Sequence, residues 1–198
     1  SSYGIREGKF FEIAPPELID QDPLISACEY YGFQAGRFAV SRDEVFSWVK
    51  VIFENIDPRE KRLVEAACLL GDIGWPEHPD YRAMHSFARV LRLPIAGITH
   101  RERVLLALSI YHRYDGDEYG PEITIAIKLI DQKDRDLAFI LGSVLKLAHK
   151  LSGGVPGLLI QTKLLKTEDG YLVDFSNKEY LFNTKYVNNL VSKINTHI

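Results

Sequence analysis

The sequence predicts a mainly α-helical protein that closes with a small β-hairpin and a last helix. Three observations carry this. Helix-start signals recur through the chain, and the apolar residues behind each of them repeat at helical spacing. After Ser152-Gly153-Gly154 that period gives way to a β-type pattern around an Asp-Gly turn.

Taken in order, Asp22-Pro23 opens a helix near 23–31. Ser41-Arg42-Asp43-Glu44 fits a capping box, in which a small hydroxyl caps a free amide and a Glu three residues on reaches back. Behind it Val45, Trp48, Val49, Ile52, Phe53 and Ile56 line one face of a helix over 42–56. Asp57-Pro58-Arg59-Glu60 starts the next helix, over 58–72, and Leu63 to Ile73 is apolar on nearly all sides, which predicts a central, buried element. His78-Pro79 is a weaker start, for 79–93. Thr99-His100-Arg101-Glu102 is a second capping box, for 100–114. Leu137, Ile140, Leu141, Val144, Leu145, Ala148 and Leu151 define a helix over 133–151, which the glycine pair Gly153-Gly154 stops. Segments 158–166 and 171–175 flank Thr167-Glu168-Asp169-Gly170 and predict a hairpin. Val187, Leu190, Val191 and Ile194 predict a short closing helix.

With 46% hydrophobic residues in 198, the chain can bury a real core. Its formal net charge of −3 gives no general attraction to polyanions, so a phosphate site must be a local patch and nucleic acid is a poor partner. Cys28 and Cys68 both lie in helical apolar patterns, which suits free thiols in a reducing compartment and makes the cytoplasm the expected location. No apolar run is long enough for a bilayer, and the start has no signal-peptide pattern. Ser1 is not a methionine, so the chain is expected to be a piece of a longer one.

Chemistry could sit at two places. Leu70-Gly71-Asp72-Ile73-Gly74 ends an apolar helix with a carboxylate and is followed by His78, Arg82 and His85. It resembles the metal box of HD-type phosphohydrolases, in which an adjacent His-Asp pair and further histidines hold a divalent ion. Gly71 stands at the first position of that pair and offers a metal nothing. Asp72 is then expected to cap a turn or pair with an arginine. The second place is Tyr111-His112-Arg113-Tyr114, at a helix end, where the last carbonyls favour cations. Arg113 with Arg82 and Arg101 or Arg103 could instead form a phosphate clamp, because guanidinium binds phosphate bidentately. Neither cysteine is placed as a nucleophile, and no glycine loop opens a helix as a phosphate cradle would.

Three blocks now resemble the exopolyphosphatase and guanosine pentaphosphate phosphatase family: Ser2-Tyr3-Gly4-Ile5-Arg6-Glu7-Gly8, Ala66-Ala67-Cys68-Leu69-Leu70-Gly71-Asp72-Ile73-Gly74 and Leu151-Ser152-Gly153-Gly154. His78-Pro79-Asp80-Tyr81-Arg82, His85-Ser86 and Tyr111-His112-Arg113 add to it, in order along nearly the whole chain. The resemblance implies that 1–15 closes an actin-like catalytic module lying upstream, that 16–153 is an HD-like helical bundle, and that 154–198 is a small hairpin and helix. It also implies that the catalytic glutamate and the magnesium carboxylates belong to the parent protein, so that this chain holds no catalytic residue, metal or cofactor of its own.

The expected function is therefore a C-terminal accessory region of an exopolyphosphatase, which releases terminal phosphate from inorganic polyphosphate. The region would bind the polymer through His78, Arg82, His85 and Arg113, form a homodimer, or do both. Its partners would be polyphosphate or guanosine pentaphosphate through the parent, and the upstream domains, with no membrane and no nucleic acid. The alternative is a self-contained HD-type phosphohydrolase acting on a nucleotide, with Asp72, His78 and His85 as metal ligands.

Overall fold

A computed structural model describes residues 13, 15, 20–35, 42–116, 119–176 and 183–198. Its helices are α1 (Pro23–Ala35), α2 (Arg42–Val49), α3 (Pro58–Leu70), α4 (Arg82–Arg92), α5 (His100–Arg113), α6 (Pro121–Ala126), α7 (Gln132–Ser152) and α8 (Thr184–Asn195). Strands β1 (Lys163–Thr167) and β2 (Gly170–Asp174) form an antiparallel pair between α7 and α8. The chain is thus mainly helical with a small hairpin and a last helix, as its periodicities predict. No helix among the described residues is long and apolar enough to cross a membrane.

The helix starts are made by the residues the sequence points to. Asp22 accepts the Leu24 amide at 2.8 Å, and Asp57 accepts the Arg59 amide at 2.7 Å ahead of Pro58. At Thr99 both halves of the capping box form: its hydroxyl accepts the Glu102 amide, and the Glu102 carboxylate accepts the Thr99 amide at 2.7 Å. Glu44 behaves differently. Its carboxylate accepts the amides of Gly157, Leu159 and Ile160 across the molecule. Ser41, the other half of that predicted box, lies outside the described residues.

The core centres on α5, whose residues Val104 to Tyr111 are all buried. It is held between α4 and α7. At Gly142 of α7 a Cβ would lie 2.4 Å from the Ser109 carbonyl oxygen, so only glycine permits this close crossing with α5. Gly32 of α1 does the same against Leu69 of α3, where a Cβ would come within 2.1 Å of the carbonyl oxygen. α3 is buried along most of its length, through Leu63, Val64, Ala66, Ala67, Cys68 and Leu70. Cys28 and Cys68 are both buried and free, and burial pushes both thiols up, Cys28 to about 12.

Several elements depart from the sequence prediction, α1 among them, which runs on to Ala35 instead of ending near 31. The 42–56 helix tightens into a 3-10 turn over Lys50–Phe53, with Trp48 and Phe53 in the core as expected. The helix predicted from 79 starts at Arg82, because residues 72–81 run as successive tight turns around Pro76 and Pro79. α6 and the 3-10 turn Ile127–Leu129 behind it were not predicted, being too short for a periodic signal.

The hairpin register pairs Thr167 with Gly170, so Glu168-Asp169 form the two-residue loop and Gly170, at φ +124°, opens β2. The first predicted strand is shorter than expected, since Leu159–Gln161 is a 3-10 turn. Leu164, Tyr171 and Val173 face inward, whereas Leu165 and Leu172 face out. Trp48 ties this segment to α2 by donating from Nε1 to the Thr162 hydroxyl at 3.1 Å. Asn195 of α8 then treats the free edge of β2 as a strand would: it accepts the Tyr171 amide and donates to the Tyr171 carbonyl, both at 3.0 Å.

Candidate functional site

The end of α3, the start of α4, the end of α5 and the last turns of α7 meet at one place. Asp72 follows α3, Arg113 ends α5 and His149 lies near the end of α7. Their side chains are all nearly buried, at 10%, 8% and 5% exposure. Arg113 Nη2 donates to Asp72 Oδ1 at 3.1 Å, and His149 Nδ1 stands 3.4 Å from the same oxygen. A buried carboxylate needs such charge and hydrogen-bond partners, because desolvation costs several kcal/mol per ion. Asp72 therefore pairs with an arginine, one of the two roles its sequence context suggests.

Tyr114 connects this buried cluster to the surface. Its ring lies under the Arg113 guanidinium, 4.5 Å from the centroid, and also within 5.8 Å of the Arg82 guanidinium. Its hydroxyl accepts the Gly74 amide at 3.1 Å, and burial pushes the phenol up. A Cβ at Gly74 would meet both Ser86 Oγ, at 1.9 Å, and the Tyr114 ring. The turn after α3 can thus lie flat on α4 and Tyr114 only with glycine at this position.

Arg82 is anchored on one edge. Its Nε and Nη2 donate to the carbonyls of Glu77 and Trp75 at 2.9 to 3.2 Å, and the guanidinium stacks 4.8 Å from the Trp75 ring centroid. Among the described residues its Nη1 donates to none. Beside it, His85 Nδ1 is 2.8 Å from Glu77 Oε2, and the imidazole stacks on Tyr81. His78 also packs on Tyr81, tilted against its ring, and accepts the Asp80 amide at 3.3 Å. The side chains of His78 and His85 are 67% and 56% exposed.

The four candidates thus divide into two layers. His78, Arg82 and His85 share an outward surface at the start of α4, and Arg113 lies behind Tyr114, bound to Asp72. The other clamp arginines are elsewhere: Arg101 bonds Asp134, and Arg103 donates to the carbonyls of Leu93 and Ile95. His149 was not anticipated. It follows Leu145 by four residues, at helical spacing, where a histidine reads as core, and no local pattern ties it to Asp72.

The alternative metal set does not assemble. Asp72 is turned to a guanidinium inside, whereas His78 and His85 lie outside on Tyr81. Among the described residues no group of three or more His, Cys, Asp and Glu side chains is placed to hold a metal ion. The first position of the metal pair is also closed to any ligand, because a Cβ at Gly71 would fall 2.5 Å from His149 Nε2. The described donors at this place do not fit an HD-type metal.

No curated protein matches the chain. A family profile described as exopolyphosphatase, C-terminal, matches residues 44–184, from α2 to the start of α8. Well over half of the chain is covered, including the whole of the Asp72, Arg82 and Arg113 cluster. The chain belongs to the exopolyphosphatase C-terminal family.

Proposed function

We propose that this chain is the accessory region with which an exopolyphosphatase holds the length of a polyphosphate chain beyond its catalytic half. The observation that carries this is Arg82. Its guanidinium is fixed by carbonyls and aromatic rings through Nε and Nη2, and among the described residues its Nη1 donates to none, which suits it to a phosphate oxygen. Preorganised guanidinium is the group best matched to phosphate oxygens. His78 flanks it as a further donor, because its Nδ1 accepts the Asp80 amide and leaves Nε2–H for a ligand, whereas His85 gives its Nδ1–H to Glu77 and lines the surface beside it. Arg113 is the supporting member, because its bond to Asp72 and its place on Tyr114 hold the ring against which Arg82 lies. Glu77 and Asp80 lie on the same surface, so the patch is not a strong field and acts through placed contacts.

The test is titration of the chain with long polyphosphate and with tripolyphosphate, by calorimetry at two salt concentrations. Long chains should bind more tightly, and binding should weaken as salt screens the contact. Replacing Arg82 by Ala should weaken long-chain binding by about tenfold, or ~1.4 kcal/mol, the scale of one charge-assisted hydrogen bond. Equal binding by the variant and the parent sequence would remove Arg82 from the site. No binding of long chains by the intact protein would defeat the reading.

A further inference from the structure

The two edges of the hairpin are treated unequally. On β2, Asn195 bonds both the N–H and the C=O of Tyr171, so these groups point away from β1. Tyr171 is paired with Lys166, and an antiparallel ladder alternates, so Lys166 and Leu164 turn their own N–H and C=O away from β2. No described residue bonds them on that side. The free edge of β1 opens on a groove of about 580 Å³ between β1 and α2. Leu164 and Leu165 point to opposite faces of the hairpin, one buried and one exposed, yet both line this groove, which places it at the edge of the strand. Trp48 and Val51 wall it on the side of α2 and its 3-10 turn, and Ile160, 67% exposed, adjoins it on the strand side.

We propose that β1 takes an extended segment of a partner protein as a third strand, laid antiparallel in this groove, with acidic residues opposite Lys163 and Lys166. Main-chain bonds to Leu164 and Lys166 hold the segment, and the apolar walls receive the side chains between its acids. Charge selects the occupant. Lys163 and Lys166 are exposed, and among the described residues neither makes an ion pair. A second copy of β1 would crowd the lysines of both chains onto one short edge, and an apolar segment without acids is deterred by the same lysines. A polyanion has no N–H to offer the Leu164 and Lys166 carbonyls, so the edge favours a peptide over polyphosphate. None of these residues belongs to the Arg82 surface, and the two readings can fail separately.

NMR titration of the intact chain with the capped peptide acetyl-Thr-Glu-Val-Val-Glu-Thr-amide, whose acids fall opposite Lys166 and Lys163, tests it. Binding with a Kd below about 1 mM is expected. Near saturation, amide exchange should slow by about tenfold at Leu164 and Lys166, whereas Lys163, Leu165 and Thr167, already bonded to β2, should change little. Lys166→Pro removes the outward N–H and leaves the bonds to β2, and it should weaken binding by about tenfold or more. Lys166→Thr keeps the amide and should weaken it by less than about fivefold. Where the proline disturbs the hairpin, the exchange pattern of the unsubstituted chain still decides. A peptide with both glutamates replaced by lysines should not bind. No binding of the acidic peptide, protection that does not alternate along β1, equal losses in the two variants, or equal binding of the lysine peptide would each overturn the proposal.

Discussion

His149 fills the space that any side chain at position 71 would need, which makes Gly71 a packing residue of the buried cluster. The Cβ of an alanine there would meet the imidazole Nε2 at 2.5 Å, inside a site that Asp72 and Arg113 also crowd. Gly71→Ala should therefore destabilise the fold by about 1 to 3 kcal/mol, as overpacking does. In a His149→Ala background most of that penalty should disappear, because the clashing group is gone. Urea melts of the four proteins in this double-mutant cycle measure the coupling. An equal penalty in both backgrounds would place the strain elsewhere. The same crowding explains why Arg113 is a poor choice for binding tests: removing one member of a buried ion pair typically costs about 3 to 5 kcal/mol, and lost folding would pass for lost binding.

α2 and its 3-10 extension show what an element takes from its own residues and what it takes from its neighbours. Val45, Trp48, Val49 and Phe53 are buried, as their spacing requires, and Phe53 is 4% exposed. Phe53→Ala should cost about 3 to 5 kcal/mol in urea melts, the usual loss for an aromatic removed from a core. A loss below about 1 kcal/mol would show that the stripe is not packed. Glu44, three residues past Ser41, shows what an element takes from elsewhere in the molecule. The Thr99 box forms between partners within one helical turn, and Glu44 accepts three backbone amides at Gly157, Leu159 and Ile160. Local spacing can propose a partner within a turn, but it cannot display amides more than a hundred residues away that a carboxylate satisfies. α6 was invisible for a related reason: a six-residue helix makes too few turns to repeat a pattern.

For the molecule as a whole, acid should be the sensitive side. His112, at the end of α5, is pushed down to about 4 by burial, and its Nδ1 lies 3.1 Å from the Gly116 carbonyl oxygen. The unfolded chain protonates this histidine near its ordinary 6.5, so between that value and about 4 the unfolded state binds the extra proton and stability falls with pH. Asp22, held low by its hydrogen bond to Arg62, extends the loss below its ordinary 3.8. The urea midpoint should drop steadily from neutral pH to about pH 4. His112→Gln should flatten the upper part of that decline and leave the part below it. An unchanged slope in the variant would show that His112 titrates normally. Much of this protein was decided by the sequence alone: the helix starts at Asp22, Asp57 and Thr99, the buried face of α2, the stop at Gly153 and the family itself. These depend on contacts within a few residues or on periodic patterns, which a linear string displays. The pairing of Asp72 with Arg113 and His149, the sharing of Tyr114 by two arginines, and the capture of Glu44 by a distant loop were decided only in three dimensions. They join residues far apart in the chain through burial, and burial is set by how helices cross.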